Sequence, residues 1–215
     1  MPQSRKAAIR LAQNFLTSSA VINRIIRLSS LSKNDTVVEI GSGKGHITGR
    51  LIERCGYVYA VEYDRNLYAK LEYKFGGAGN IKLLNLDFLE FNLPKAPYKV
   101  FANIPFNLTT EIVRKLNNPR NAPAEAWLVM EKGAAKRFMG KPFESVMSLL
   151  IKPFFDTEIV YHFCRNDFHP APSVECVLFH LKQKEIPDIK PSEVQSYSRF
   201  VNDCTKSASG IHAYL

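Results

Sequence analysis

Val37-Val38-Glu39-Ile40-Gly41-Ser42-Gly43-Lys44-Gly45 decides the fold. Thr36 to Ile40 is a short apolar run that stops at a glycine cluster, which reads as a buried strand. A helix carrying Ile47, Leu51 and Ile52 follows. Glycines let the backbone take positive φ and approach a ligand closely. In open parallel sheets, ligands sit beyond the carboxyl ends of the strands.

Working outward, the pattern repeats. Tyr57–Val61 reads as a strand ending at Glu62, and Ile81–Leu84 as a third with Asp87 just beyond. Lys99–Ala102 leads into Asn103-Ile104-Pro105-Phe106. Ala126–Met130, Glu158–Phe163 and Val174–Leu181 complete the strands. Helices are expected after Ser18 or Ser19 (Val21, Ile22, Ile25, Ile26), over Arg65–Phe75, from a Thr109 or Thr110 cap to Leu116, over Lys132–Met139, and from Ser145. Alternating strands and helices predict an α/β, Rossmann-like fold: a seven-stranded, mostly parallel sheet with helices on both faces.

The bulk numbers bound the rest. The chain has 215 residues, 46% hydrophobic, enough for one well-cored domain and a small appendage. We divide it into a basic tail (1–12), a main domain (13–183), and a linker with a further helical start (184–215), fraying at Lys206–Gly210. Lys and Arg number 29 against 20 Asp and Glu, a net +9 that favours a polyanionic partner. Cys55, Cys164, Cys176 and Cys204 form no C-x-x-C pair, which predicts reduced thiols in a cytoplasmic protein. His162, Cys164 and His169 match no zinc spacing, so no metal is expected. The polar N-terminus and the lack of an 18-residue apolar run predict neither a signal peptide nor a membrane span.

Two sites emerge at the sheet's carboxyl edge. Gly41, Gly43 and Gly45 follow G-x-G-x-G, not the G-x-G-x-x-G of dinucleotide folds. Glu62, 21 residues after Gly41, is placed for ribose hydroxyls. Asp87 is placed for an adenine amine, and Phe88 for the ring. A nucleoside without phosphates fits this set, and S-adenosylmethionine is the expected cofactor.

The second site is Asn103-Ile104-Pro105-Phe106. An adenine amine is a poor nucleophile because its lone pair is delocalised into the ring. Two acceptors, the Asn103 side-chain oxygen and the Ile104 carbonyl, rehybridise it and stabilise the charge developing in the transition state. Pro105 stiffens the turn, and Phe106 offers a stacking face worth ~1–3 kcal/mol. No strong base is needed, since the methylated amine sheds its proton readily. Phe168, before His169-Pro170-Ala171-Pro172, offers a second wall for the base; an aromatic in that setting also serves as core. Lys132, Lys136 and Arg137 share a predicted helix and, with Arg5, Lys6 and Arg10, make a candidate RNA face; a solvated helix face has the same pattern.

Taken together, these segments resemble the ribosomal RNA adenine N6-methyltransferases, and within them the erythromycin-resistance (Erm) methyltransferases. The resemblance rests on Gln13-Asn14-Phe15-Leu16, Glu39 to His46, Val61-Glu62, Asp87, Asn103 to Phe106, Val129 to Arg137 and Phe168 to Pro172. Small-subunit dimethyltransferases share the plan but usually read Asn-Leu-Pro-Tyr. The resemblance implies a class I methyltransferase fold and a cofactor site of Gln13, Asn14, Leu16, Gly41, Ser42, Gly43, Glu62, Tyr63, Asp87, Phe88 and Asn103. It also implies mono- or dimethylation of one adenine in naked or partly assembled 23S rRNA by a monomer, with macrolide, lincosamide and streptogramin B resistance as the consequence. The family continues into a helical C-terminal RNA-binding domain; Tyr197–Asn202 resembles its beginning, so most of that domain is expected to be missing.

Overall fold

The structure, a computed structural model, describes residues 14–95 and 97–211. Seven strands form one sheet: β2 (Thr36–Ile40), β3 (Tyr57–Val61), β4 (Ile81–Leu84), β5 (Lys99–Asn103), β6 (Glu125–Glu131), β7 (Phe155–His162) and β9 (Cys176–Gln183). Their order is β4-β3-β2-β5-β6-β9-β7, and β9 alone runs against the other six. The central strands are apolar along nearly their whole length because helices cover both faces.

Residues alternate between two cores. Val37, Val58, Phe101, Trp127 and Leu178 face helices α1 (Ser19–Leu28) and α2 (His46–Arg54). Val38, Val61, Val100, Leu128 and Phe179 face α4 (Thr109–Leu116), α5 (Lys132–Met139) and α6 (Val146–Ile151). Between β3 and β4 lies α3 (Arg65–Phe75), capped by the Asp64 carboxylate accepting from the Asn66 and Leu67 amides. Ser18 caps α1 by accepting from the Val21 amide, and Ser145 caps α6.

Three details differ from the sequence expectation. Neither Thr109 nor Thr110 caps α4: its N-cap is Leu108, and the Thr109 hydroxyl donates to the Phe106 carbonyl at 2.9 Å. Residues 184–190 are tied to the domain rather than a loose linker, through Lys184 N to the Phe154 carbonyl and Asp188 N to the Pro153 carbonyl. The last helix, α7 (Val194–Ile211), extends over Lys206–Gly210, beyond the short helical start expected. Val201 is buried, and the Tyr197 hydroxyl donates to the Leu149 carbonyl, which anchors the helix to α6.

From β2 the chain winds one way to β3 and β4, then returns to β5 on the other side of β2. The loops after β2 and β5 therefore diverge and open a crevice at the carboxyl edge, where such sheets bind ligands.

Candidate cofactor and target-base site

That crevice is a pocket open to solvent, about 740 Å³ with its mouth included. Its floor is the glycine loop. Gly41 and Gly43 adopt φ of +71° and +56°. A Cβ on Gly43 would stand 2.9 Å from Phe15 Cε1, so the loop can pass beneath that ring only as glycine. A Cβ on Gly41 would stand 3.8 Å from the Asn103 carbonyl oxygen, which places the two sequence motifs side by side.

Glu62 closes one side. It is 3% exposed, and its two carboxylate oxygens accept from the Gly43 and Asp64 amides, each at 2.7 Å. Burial pushes its carboxyl above the ordinary value, and these N–H bonds oppose that shift. Each oxygen keeps a lone pair for ribose hydroxyls. The Asn85 amide donates to the Glu62 and Tyr63 carbonyls and fixes the turn after β3.

Asp87 and Phe88 form the far wall, in a 3-10 turn Phe88–Glu90 that Asp87 caps by accepting from the Leu89 amide at 2.9 Å. Asn14, Phe15, Tyr63, Leu86, Leu89, Leu108 and Ile112 also line it. Among the described lining residues there are two acids and no Lys, Arg or His. A dinucleotide's phosphates would find no countercharge here, whereas a sulfonium cation would. The glycine cradle, the doubly held carboxylate and this charge fit S-adenosylmethionine.

Asn103 ends β5, in parallel register with Val129. Its Nδ2 donates to the Asn14 carbonyl at 2.7 Å, which fixes the amide's orientation. Its Oδ1 and the Ile104 carbonyl accept no hydrogen bond from the described residues. Ile104, Pro105 and half-buried Phe106 all line the cavity. Two unused acceptors and an aromatic face thus stand beside the cofactor cradle.

The other predicted site residues lie elsewhere. Phe168 does not line the cavity: it is 4% exposed, 5.3 Å from the Phe163 ring, and part of the core beneath α1. It belongs to a short ribbon in which β1 (Phe15–Leu16) pairs with β8 (Phe168–His169), Leu16 opposite Phe168. The ribbon places Phe15 over the glycine loop, and Phe168 contributes to it through packing. Leu16 is likewise buried, and Ser42 lies under the loop rather than in the main cavity. Gln13, Arg10, Arg5 and Lys6 fall outside the described residues.

On α5, Lys132 pairs with Glu175 at 3.1 Å, Lys136 is exposed, and the Arg137 guanidinium lies over the Phe138 ring at 5.5 Å. Among the described residues no cluster of His, Cys, Asp and Glu could hold a metal, and no helix is long and apolar enough to cross a membrane. The four cysteines are free thiols, Cys55 and Cys176 buried, Cys164 and Cys204 exposed.

Leu108 and Ile112 were legible but missed: they stand one turn apart just after the Asn103 motif and face the same cavity. Asn85 left no sequence signal.

Known proteins bear on this geometry. The ribosomal RNA adenine dimethylase family matches residues 4–209. An rRNA adenine N-6-methyltransferase of Limosilactobacillus reuteri is 38% identical over 197 residues, covering 91% of this chain and 79% of the relative. The crystal structure of the 23S rRNA methyltransferase ErmE superposes with a TM-score of 0.81 at 28% identity, over 92% of this chain and 81% of that one. A dimethyladenosine transferase from Plasmodium falciparum gives 0.72 at 26% identity, over 80% of this chain and 64% of that one.

Proposed function

The chain belongs to the ribosomal RNA adenine dimethylase family, an S-adenosylmethionine-dependent rRNA adenine N6-methyltransferase, and on that premise we propose that it methylates the N6 amine of one adenine in 23S rRNA. When bound, the cofactor supplies an electrophilic methyl group. The chain's own residues do the rest. Glu62 takes the ribose hydroxyls, Asp87 the adenine amine, and Phe88 packs against that ring. Asn103 Oδ1 and the Ile104 carbonyl hold the target amine with its lone pair turned toward the methyl, and Phe106 stacks on the base.

The single observation behind this reading is the fixed Asn103 amide: Nδ2 is engaged by Asn14, so Oδ1 is left as an oriented acceptor. Such preorganised acceptors lower a barrier because they need no rearrangement as charge develops. Release of the proton from the methylated amine goes to solvent.

Three features favour the large subunit over the small. Phe106 stands where small-subunit enzymes usually carry tyrosine; the Met130–Arg137 segment is more Erm-like; and the 23S rRNA methyltransferase ErmE superposes with a TM-score of 0.81. Macrolide, lincosamide and streptogramin B resistance would follow. We further propose a cytoplasmic monomer that binds protein-free rRNA through Lys136 and Arg137, with residues 13–183 as the catalytic unit and Arg10 and Gln13 completing the substrate and cofactor contacts.

The test is transfer of labelled methyl to protein-free 23S and 16S rRNA, with the site read by primer extension. One modified adenine in 23S rRNA is the expected result. A pair of adjacent modified adenines in 16S rRNA would replace this reading with the small-subunit one.

A further inference from the structure

Lys115 sits on α4, the helix that leaves the Asn103–Phe106 loop, and it points back across the cavity wall. Its Nζ donates to three main-chain carbonyls of one turn: Phe88 at 2.7 Å, Leu89 at 2.9 Å and Phe91 at 2.6 Å. It also stands 5.0 Å from the Phe88 ring centroid. An ammonium has three hydrogens, and all three are used. Burial lowers the amine's proton affinity, and the nearby Asp87 charge opposes that shift.

The turn so held is the adenine wall of the cofactor cavity, with Asp87 as its cap and Phe88 and Leu89 in its lining. The turn's own bonds are few: Glu90 N to the Asp87 carbonyl, Phe91 N to the Phe88 carbonyl, and Leu89 N to the Asp87 carboxylate. A short 3-10 turn of this kind has poor hydrogen-bond geometry and little stability of its own. The same helix sends Ile112 into the cavity, three residues before Lys115.

We propose that Lys115 is a positioning residue: it holds the Asp87–Phe91 turn in the shape that recognises the cofactor's adenine, and it ties that turn to the helix that carries the target-base loop. The proposal rests on Asp87 being the acceptor for the adenine amine. Lys115 touches neither ligand and acts through the carbonyls it gathers. Charge-assisted bonds to three carbonyls are the strong kind, and an apolar replacement would leave the Leu89 and Phe91 carbonyls without a donor among the described residues and the Phe88 carbonyl with the Phe91 amide alone.

The experiment compares Lys115→Met, close in length but unable to donate, with Lys115→Arg, which keeps donors. Amide exchange of Leu89 and Phe91 is measured in the cofactor-free protein. Binding of S-adenosylhomocysteine and of its inosine counterpart is measured by calorimetry. For Lys115→Met, exchange at both amides is expected to rise about tenfold or more, about what loss of one charged hydrogen bond allows. Affinity for S-adenosylhomocysteine falls by a similar factor, its preference over the inosine ligand shrinks, and rRNA affinity holds. Lys115→Arg recovers most of the binding.

Unchanged exchange and unchanged preference in Lys115→Met would overturn the proposal. So would an equal loss for both ligands that Arg does not rescue. If Lys115→Met does not fold, Lys115→Gln is read against Lys115→Arg in the same way. Asp87→Ala separates the two layers. Should it leave the preference intact, the adenine reading itself fails; should it abolish the preference while Lys115→Met does not, only the positioning role fails.

Discussion

Asn103→Ala separates chemistry from cofactor binding, because the two halves of that side chain do different jobs. Nδ2 holds the Asn14 carbonyl at 2.7 Å on the cavity wall. Losing one neutral hydrogen bond costs about 0.5–1.5 kcal/mol, so cofactor affinity should fall by at most about tenfold. Oδ1 is an oriented acceptor for a charge that appears only in the transition state. Removing one such group costs roughly 2.7–4 kcal/mol, or about a hundred- to a thousandfold in kcat. The assay is methyl transfer to rRNA at saturating cofactor, with S-adenosylhomocysteine binding measured alongside. Asn103→Asp sharpens the test: it keeps an acceptor but sets a carboxylate oxygen against the Asn14 carbonyl, so it should lose affinity more than Asn103→Ala does. The reasoning is refuted if Asn103→Ala turns over within a few-fold of the wild type, or if kcat and affinity fall by the same factor.

Other perturbations read other parts of the structure. Phe106→Ala should cut turnover by about tenfold or more through lost stacking, with Phe106→Tyr tolerated; equal losses in both, measured as kcat/KM on rRNA, would rule out simple stacking. Phe168→Ala should destabilise by roughly 3–5 kcal/mol and lower Tm by about 10 °C, with Phe168→Leu recovering much of it; reduced turnover at unchanged Tm would instead make Phe168 a wall for the base. Glu39 is buried and bonded to the Thr48 hydroxyl at 2.7 Å, and burial raises its carboxyl to about 7 from an ordinary 4.5. The native state then keeps a proton that the unfolded chain has released, so stability falls by roughly 3 kcal/mol as pH rises from about 4.5 to about 7. Glu39→Gln should flatten that slope in Tm between about pH 4.5 and about 7.

What the sequence made legible were the ends of strands. β2 stops at glycines and β5 at an Asn-x-Pro turn, and both signals are local: they report a backbone that must bend at the sheet's carboxyl edge. A parallel sheet then turns separate local signals into one site, because it aligns all its carboxyl ends on one side. That is why Gly41, Glu62, Asp87 and Asn103 converge although 62 residues separate the first from the last.

The side chains that hold those ends in place were not legible. Phe168 pairs with Leu16 across 152 residues, in strands of two residues each, too short to show any period. Lys115 finds carbonyls 24 to 27 residues earlier, and main-chain carbonyls leave no mark on residue identity. Thr109 faced a choice that sequence cannot resolve, since a hydroxyl accepts as a cap or donates to a carbonyl with equal ease, and here the Phe106 carbonyl wins. The distinction has a functional consequence. Ligand-touching groups must be particular residues at particular strand ends, so they leave motifs. The groups that aim them need only reach a nearby carbonyl or fill a core, so chemically similar residues serve. Losses of activity at Lys115 or Phe168 should therefore be rescued by chemically similar residues, whereas those at Asn103 should not.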